Sequence, residues 1–381
     1  MSAARVCGGH RAPWPDAGLI RAAAATAGRH ALDADVSGSL APETVAALAA
    51  AGFPGCFVPE PLGGAGATFG AATRAVAAIG EECAAAAWIA SLWAYSGRLG
   101  AFLPAEGRAE MWAKDPQARL VSSTAGSGVR ATPVAGGWLL SGAWRCAGGA
   151  ESADWALLSS AAPRTGDRSV LVFAVDRDSF THRGDSSTLG IRATGGHTLV
   201  VERAFVPEHR GFVWDDMRRG RAPGPTATAH LAPLAAVTGL AFATPILGAA
   251  RGALRLAEER LAVRPRRSVA RSSVRMPGRV AFARSAAEID AAALLLFRVA
   301  ETADARRFDD APAARGRRDS TLAAEMLVGA VDRLFRAAGS QGQASSHAMQ
   351  RIWRDVHAAG AHSALRFEPA AIGYAPGLRF A

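Results

Sequence analysis

Two ionisable residues near the C-terminus, Asp355 and His362, are spaced so that they could act together. They are seven residues apart in a stretch, 348–365, whose pattern predicts a helix, and seven helical residues make nearly two turns. Both side chains are therefore expected on one face. An imidazole can donate or take a proton near neutral pH, so His362 is the candidate for acid–base work. The alternative is a histidine at a helix end that the helix dipole stabilises.

A second group of side chains suited to an aromatic molecule lies in a long helix predicted over 69–103. Trp93 and Tyr95 offer ring faces, and Ser91 and Ser96 offer hydroxyl groups. These four residues are the candidate substrate-binding residues. Aromatic residues at helical spacing also build ordinary hydrophobic cores, and that alternative stays open here.

The composition excludes several classes of protein. Half of the 381 residues are hydrophobic and 20% are charged, which is typical of a folded globular protein. No apolar run reaches the roughly 20 residues of a membrane span, and the N-terminus lacks the apolar core of a signal peptide. We therefore expect a cytoplasmic protein. The net charge of +10 could indicate nucleic-acid binding, but the arginines are scattered, and the one dense cluster, 260–279, favours a local phosphate pocket.

Several familiar motifs are missing from the sequence. The four cysteines form no CxxC pair and the nine histidines do not cluster, so neither a metal site nor a disulfide framework is predicted. There is no GxGxxG, Walker loop, GxSxG or HExxH motif. A redox enzyme with this sequence is therefore not expected to bind NAD(P)H in a nucleotide-binding unit of its own.

Three sections follow one another along the chain. Residues 1–118 have helical patterning, residues 119–225 contain short alternating or β-branched runs separated by glycine and proline, and residues 226–381 contain four long helical stretches. The middle section favours an antiparallel barrel or sandwich, and the last favours a four-helix bundle. The predicted fold class is α+β.

This order resembles the acyl-CoA dehydrogenase fold, and three stretches agree with the resemblance. Residues 58–66 look like that family's PE-x-x-GG-x-G turn, residues 189–207 look like its LG-x-R … VP strand pair, and residues 349–355 look like its R-x-x-RD helix. The resemblance implies an N-terminal helical domain, a central β-domain and a C-terminal helical bundle.

Within that fold, the chain resembles the oxygenase components of two-component flavin monooxygenases, particularly the actinorhodin-type aromatic polyketide hydroxylases. Residues 351–362, RIWRDVHAAGAH, carry most of the likeness. The resemblance implies an enzyme that receives reduced FMN, or FAD, from a separate NAD(P)H:flavin reductase. It implies hydroxylation of an aromatic, polyketide-like intermediate by dioxygen through a C4a-hydroperoxyflavin. It also implies a homo-oligomer, either a dimer or a tetramer.

The resemblance also implies roles for individual residues. A histidine at the position of His362 lies beside flavin C4a, and Ser96 falls where several relatives have a histidine. Within the glycine-rich loop 144–155, the flavin-facing residues would be Cys146, Ala147 and Gly148, and relatives often have serine at the last of these positions.

The remaining flavin contacts follow from the same likeness. Arg264 is expected at the flavin phosphate, since dehydrogenases of this fold have an arginine sixteen residues after the glycine found here as Gly248. A solvated basic loop is the alternative for that stretch. Thr124 and Ser127 are expected at the pyrimidine edge of the flavin.

Three other functions remain open at this point. An N-oxygenase that oxidises an amine shares the fold. An acyl-thioester dehydrogenase needs a carboxylate to take a proton, and the position where many members have it is Ser363 here, which counts against that function. A non-catalytic basic protein that binds nucleic acid or a partner is the third.

Overall fold

The N-terminal section is helical. The computed structural model describes residues 14–161, 170–184, 188–224, 227–263 and 272–375. The first helices are α1 (Ala17–Arg29), α2 (Ala31–Ser37), α3 (Pro42–Ala50), α4 (Phe69–Gly80), α5 (Ala84–Gly100) and α6 (Ala105–Trp112). The single long helix predicted over 69–103 is therefore wrong, because the chain turns at residues 81–83 and forms two helices, α4 and α5.

The central section is a sandwich of two four-stranded sheets, β1-β4-β5-β8 and β2-β3-β7-β6. The strands are β1 (Leu120–Ser123), β2 (Gly126–Val134), β3 (Gly137–Ala147), β4 (Trp155–Ala161), β5 (Val170–Asp176), β6 (Thr181–Arg183), β7 (His197–Pro207) and β8 (Gly211–Val213). Trp144 and Phe173 are buried between the sheets. One pair departs from the antiparallel expectation: β1 runs parallel to β4, because the β2–β3 hairpin between them belongs to the other sheet.

The C-terminal section is helical again. Its helices are α7 (Trp214–Arg218), α8 (Thr228–Leu231), α9 (Leu234–Val263), α10 (Ser272–Asp304), α11 (Asp310–Gly342), α12 (Ala348–Gly360) and α13 (Phe367–Tyr374). Helices α9 to α12 are the predicted four-helix bundle. The stretch Leu234–Ala262 is long and apolar enough for a membrane span by length and composition, but 72% of its most apolar window is buried inside the protein.

Helix α9 is the centre of the fold, because it packs against α4 and α5 as well as against the other bundle helices. The backbones of α4 and α9 touch at Gly80 and Gly248. A Cβ atom added to Gly248 would lie 2.3 Å from the carbonyl oxygen of Ala77, so only glycine permits this approach. The largest hydrophobic core therefore contains residues from both helical sections.

Two polar contacts reinforce this joint. The carboxylate of Asp304, at the end of α10, accepts hydrogen bonds from the backbone N–H groups of Phe69 and Gly70 at 2.8 and 2.9 Å. It thereby caps the first turn of α4, whose N–H groups have no partner within the helix. Arg354 on α12 forms an ion pair with Asp35 on α2. Both contacts therefore join the N-terminal helices to the C-terminal bundle. Helix α5 itself packs against α9 on one side and against β1 and β4 of the sandwich on the other.

Candidate active site

One face of α5 connects three parts of the molecule. Trp88, Leu92 and Ser96 are four residues apart, so their side chains lie above one another on the helix. At 1.5 Å per residue, this row is about 12 Å long. Trp88 contacts the bundle, Leu92 lies beside the glycine-rich loop after β3, and Ser96 contacts β1.

An aromatic cluster occupies the bundle end of this row. The rings of Phe242 on α9 and His362 are stacked, with centroids 3.8 Å apart and planes inclined by 21°. Trp88 lies 5.4 Å from Phe242 and 5.8 Å from His362. The three rings come from three separate elements and form one surface. Phe242 was missed by the sequence reasoning, because nothing in the pattern of α9 distinguishes it from a core residue.

His362 lies outside helix α12, which ends at Gly360. Its backbone is extended, so the predicted common face with Asp355 is wrong, and the two side chains make no contact within the described parts of the chain. The Nδ1 atom of His362 accepts a hydrogen bond from the backbone N–H of Ala364 at 3.2 Å. Burial lowers the pKa of His362 to about 4. The ring is therefore neutral at pH 7, and its single proton is on Nε2.

Asp355 contacts the turn before β7 and not His362. Its Oδ1 atom accepts a hydrogen bond of 2.6 Å from the backbone N–H of Ile191, a residue with a left-handed backbone at φ 45°. The neighbouring Gly190 lies against the carbonyl of Arg354, where a Cβ atom would be 2.1 Å from the oxygen. Burial raises the pKa of the Asp355 carboxyl to about 7. Asp355 therefore joins α12 to the turn before β7, and it is a positioning residue.

A pair of hydroxyl groups lies at the other end of the row. The Oγ of Ser96 donates to the Oγ of Ser122 at 3.2 Å, across the contact between α5 and β1. Ser122 was missed by the sequence reasoning, although strand alternation contains the signal: Ser123 faces inward to the carbonyl of Arg145, so Ser122 must face the other way. Two hydroxyl groups in contact can bind a phenolic oxygen as donor and acceptor.

Ser91 has a structural partner. Its hydroxyl donates to the backbone carbonyl of Ala241 on α9 at 2.6 Å, and both atoms are buried. That carbonyl would normally bond to the N–H four residues later, but the residue there is Pro245, which has none. Ser91 supplies the missing donor. It supports the site by fixing α9 beside Phe242, and it does not face the row of Trp88, Leu92 and Ser96.

We expect Ser91→Ala to lower the free energy of unfolding by about 1–3 kcal/mol, because a buried carbonyl loses its donor. Substrate turnover should change little. Urea unfolding measures the first quantity and steady-state assays measure the second. Ser91→Thr, which keeps the hydroxyl, is the matched control. A loss of turnover without a loss of stability would contradict this structural role and would indicate that Ser91 binds the substrate.

The two predicted aromatic residues are differently placed. Trp93 is fully buried in the core formed by α1, α3, α4 and α5, so it does not line the site. Tyr95 is partly buried, and its ring packs against Phe57 and Phe69 with centroids 5.2 and 6.3 Å away. Burial raises the pKa of its phenol well above the usual value, so it stays protonated. The ring of Tyr95 therefore packs against the largest core, and within the described parts of the chain its ring contacts do not include the row on α5.

The predicted flavin-facing residues lie near the middle of the row. Gly148 is buried next to Leu92. Cys146 and Ala147 belong to β3, but their side chains lie outside the described parts. Thr124 and Ser127 are exposed, and their hydroxyls make no hydrogen bond with any described residue. They follow β1 where Gly126 pairs with Trp144 and Ala125 accepts from Arg145 N–H, so they adjoin the start of the glycine-rich loop.

A flavin fits these residues. The exposed hydroxyls of Thr124 and Ser127 match the polar pyrimidine edge of the ring system, and both residues adjoin the start of the glycine-rich loop. The indole Nε1–H of Trp93 lies in the core behind this loop, 3.4 Å from the position of a Cβ on Gly149 and without a hydrogen-bond partner among the described residues, so it does not contact the candidate flavin site. Arg264, expected at the phosphate, lies outside the described residues.

Comparison with known proteins agrees with this picture. The acyl-CoA dehydrogenase N-terminal domain family matches residues 19–106, and the acyl-CoA dehydrogenase C-terminal domain family matches residues 240–367. The oxygenase subunit HsaA of a flavin-dependent monooxygenase from Mycobacterium tuberculosis is 30% identical over 84% of each chain. The oxygenase component of an FADH2-dependent resorcinol hydroxylase from a Rhizobium species is 30% identical over 85% of this chain and 84% of its own.

Solved structures give the same result. The crystal structure of a 3-HSA hydroxylase from Rhodococcus sp. RHA1 is 27% identical and superposes with a TM-score of 0.88 over 94% of both chains. A Streptomyces protein, XiaF, in complex with FADH2 and glycerol superposes with a TM-score of 0.84 at 24% identity over 94% of both chains. The fold and the sequence lead to one conclusion: this chain belongs to the oxygenase components of flavin-dependent two-component monooxygenases, which have the acyl-CoA dehydrogenase fold and receive reduced flavin from a separate reductase.

Proposed function

We propose that this protein hydroxylates a phenolic, polyketide-like aromatic compound with reduced FMN, and that the reaction takes place along the row of Trp88, Leu92 and Ser96. The observation that carries the proposal is which side chains lie at the two ends of this row. The stacked rings of Phe242 and His362 lie at the Trp88 end, and the hydroxyl pair of Ser96 and Ser122 lies at the other end. A cytoplasmic location, where NAD(P)H is available to the reductase, is part of the proposal.

The aromatic cluster would bind the ring of the substrate. When bound, the reduced flavin would supply the two electrons with which dioxygen transfers one oxygen atom to the ring, while the other oxygen atom leaves as water. Phe242 and Trp88 contribute broad apolar faces that exclude water and favour offset or edge contacts with another aromatic ring. Stacking with an aromatic ligand adds about 0.5–1.5 kcal/mol beyond the burial of apolar area. A flat ring system is the class of molecule that such a surface selects.

His362 would present a proton from Nε2. Its Nδ1 is occupied by the N–H of Ala364, and its pKa of about 4 keeps the ring neutral at physiological pH. In this state Nε2 carries a hydrogen and can only donate, so His362 cannot take the proton of a phenol until it has given its own away. The role is therefore narrower than the sequence suggested. His362 would stabilise negative charge developing on oxygen.

Ser96 and Ser122 would hold the phenolic oxygen of the substrate. We expect Ser96→Ala and Ser122→Ala each to raise KM for phenols about fivefold, which corresponds to one hydrogen bond of roughly 1 kcal/mol. The double variant should be little worse than either single variant, because the two hydroxyls act as one unit. Steady-state kinetics on naphthol measures the effect. Ser160→Ala, a buried serine of β4 away from the row, is the control.

Rapid mixing of the protein and reduced FMN with labelled dioxygen and naphthol tests the proposal. The expected product is a dihydroxynaphthalene that carries one labelled oxygen atom. If an aromatic amine replaces naphthol in the assay, transfer of labelled oxygen to its nitrogen atom would support an N-oxygenase. Bleaching of oxidised FAD by an acyl thioester would support a dehydrogenase. Repeating the assay with reduced FAD decides between the two flavins.

A homo-oligomer is also part of the proposal. Val280 and Leu294 are 59% and 73% exposed on the outer side of α10, where a second copy of the chain would cover them. Light scattering measures the assembly, and a monomer at micromolar concentration would contradict this part of the proposal.

A further inference from the structure

Leu92 is the middle residue of the row, and its surroundings differ from those of its neighbours. Ser91 and Trp93 are completely buried, whereas Leu92 is only partly buried. Its isobutyl group packs against the main core and also reaches the glycine-rich loop. Leu92 is therefore the residue of the row that has some exposed surface beside this loop.

The nearest neighbour on the loop side is Gly148. A Cβ atom on Gly148 would lie 2.9 Å from Cδ1 of Leu92, closer than two carbon atoms can approach. The next contacts are ordinary: the carbonyl of Thr194 at 3.6 Å and Cδ1 of Ile89 at 3.8 Å. Gly148 is not among the glycines with positive φ, so an alanine there is compatible with the backbone. Among the described residues, the side chain of Leu92 is thus the one that a Cβ atom at this position would meet too closely.

From this contact we infer that Leu92 and Gly148 together set the width of the substrate site, and so determine how large a ring system is accepted. This inference rests on the proposed function. Because Gly148 has no side chain, Cδ1 of Leu92 can lie against the loop instead of extending between Trp88 and Ser96. A side chain at position 148 would displace Cδ1 of Leu92 towards the stretch between Trp88 and Ser96. The pair therefore suits fused-ring phenols over single-ring phenols.

The contact itself is tested by unfolding, without any enzyme assay. We expect Gly148→Ala to lower the urea midpoint in the wild-type background, because Leu92 must move. In the Leu92→Ala background, Gly148→Ala should cause no further decrease, since the obstructing atom is absent. Leu99→Ala is the matched control, because it removes the same atoms from a partly buried leucine of the same helix. If Gly148→Ala lowers the urea midpoint by the same amount in the Leu92→Ala background as in the wild type, the two residues are not in contact and the inference is wrong.

The specificity is tested with phenol, naphthol and anthrol as probes. For each variant, calorimetry in the presence of oxidised FMN gives the dissociation constants. Single-turnover product analysis with reduced FMN and dioxygen gives the hydroxylation rates. We expect Gly148→Ala to weaken binding of anthrol at least tenfold relative to phenol. The double variant Gly148→Ala/Leu92→Ala should restore wild-type preference or exceed it. Leu99→Ala should keep the wild-type ratio.

The outcomes distinguish this inference from the proposed function. If the wild type hydroxylates naphthol but the ratio of anthrol to phenol is the same in all variants, the inference is wrong and the function stands. If the wild type neither binds nor hydroxylates any probe, both are wrong. A ratio that falls in Gly148→Ala and recovers in the double variant supports the inference.

Discussion

His362→Ala is expected to lower the rate of aromatic hydroxylation by about 10²- to 10³-fold, which is the typical effect of removing a positioned proton donor. Reduced flavin should still be oxidised by dioxygen, so hydrogen peroxide should replace hydroxylated product. The physical reason is that Nε2 of His362 carries the proton beside the Trp88–Phe242 surface, and no other described side chain of this cluster has a donor there apart from the indole of Trp88. Product yield per oxidised flavin measures the effect.

His357→Ala is the control for this variant. His357 is on α12, and its Nδ1 donates to the backbone carbonyl of Trp353 at 2.8 Å. Its removal should leave the product yield nearly unchanged. Equal losses in the two variants would indicate general damage to α12, and His362 would then have no special role.

The pH dependence gives a second test of His362. Its pKa in the folded protein, about 4, is below the ordinary value near 6.5. The stabilisation from the neutral ring is therefore complete above about pH 6.5 and is lost as the pH falls towards 4, because the unfolded chain takes up the proton first. His362→Ala should show a smaller loss of stability than the wild type across that interval, as measured by urea unfolding.

Asp355→Ala is expected to destabilise the fold by about 2–3 kcal/mol. The substitution removes the acceptor of the Ile191 N–H group, a contact of 2.6 Å that holds the turn before β7 against α12. Asp355→Asn keeps an oxygen at the same place and should lose much less. Urea unfolding measures both variants. Strong loss of hydroxylation in a stable Asp355→Asn protein would show that the carboxyl acts in catalysis.

The stability difference between the wild type and Asp355→Asn should also depend on pH. Burial raises the pKa of this carboxyl to about 7, above its unfolded value near 3.9. The folded state therefore holds a proton that the unfolded state has released. The stabilisation from Asp355 is complete below about pH 4 and is lost as the pH rises through about 7. Unfolding measured at pH 5 and pH 8 should show a larger advantage of the wild type at the lower pH.

Much of the architecture was predictable because local patterns repeat. Strand alternation around Trp144 and the long apolar runs of α9 to α12 were enough to place the β-sandwich and the bundle. The residues at which helices end were harder to predict from the sequence. The turn at 81–83 and the end of α12 at Gly360 depend on tertiary packing, and alanine-rich stretches give a weak signal for where a helix stops.

The candidate site was likewise only partly predictable from the sequence. His362 and Ser96 were candidates from the sequence, but the residues that contact them were not. Phe242 and Ser122 come from other parts of the chain, and only the folded structure brings them to the row on α5. Ser91 is the clearest example of the limit. Its hydroxyl is required by Pro245, more than 150 residues away, and no local pattern connects the two.

The core shared by the two helical sections has a consequence for the synthesis of the protein. Helices α4 and α5 leave the ribosome long before α9 and α12, yet they bury their apolar faces against them, and Asp304 closes the first turn of α4 only when α10 has been made. The early part of the nascent chain therefore exposes alanine-rich apolar surface until translation is almost complete. During this time α4 and α5 cannot pack into their final core, so chaperones that bind exposed apolar surface would bind the nascent chain at this stage.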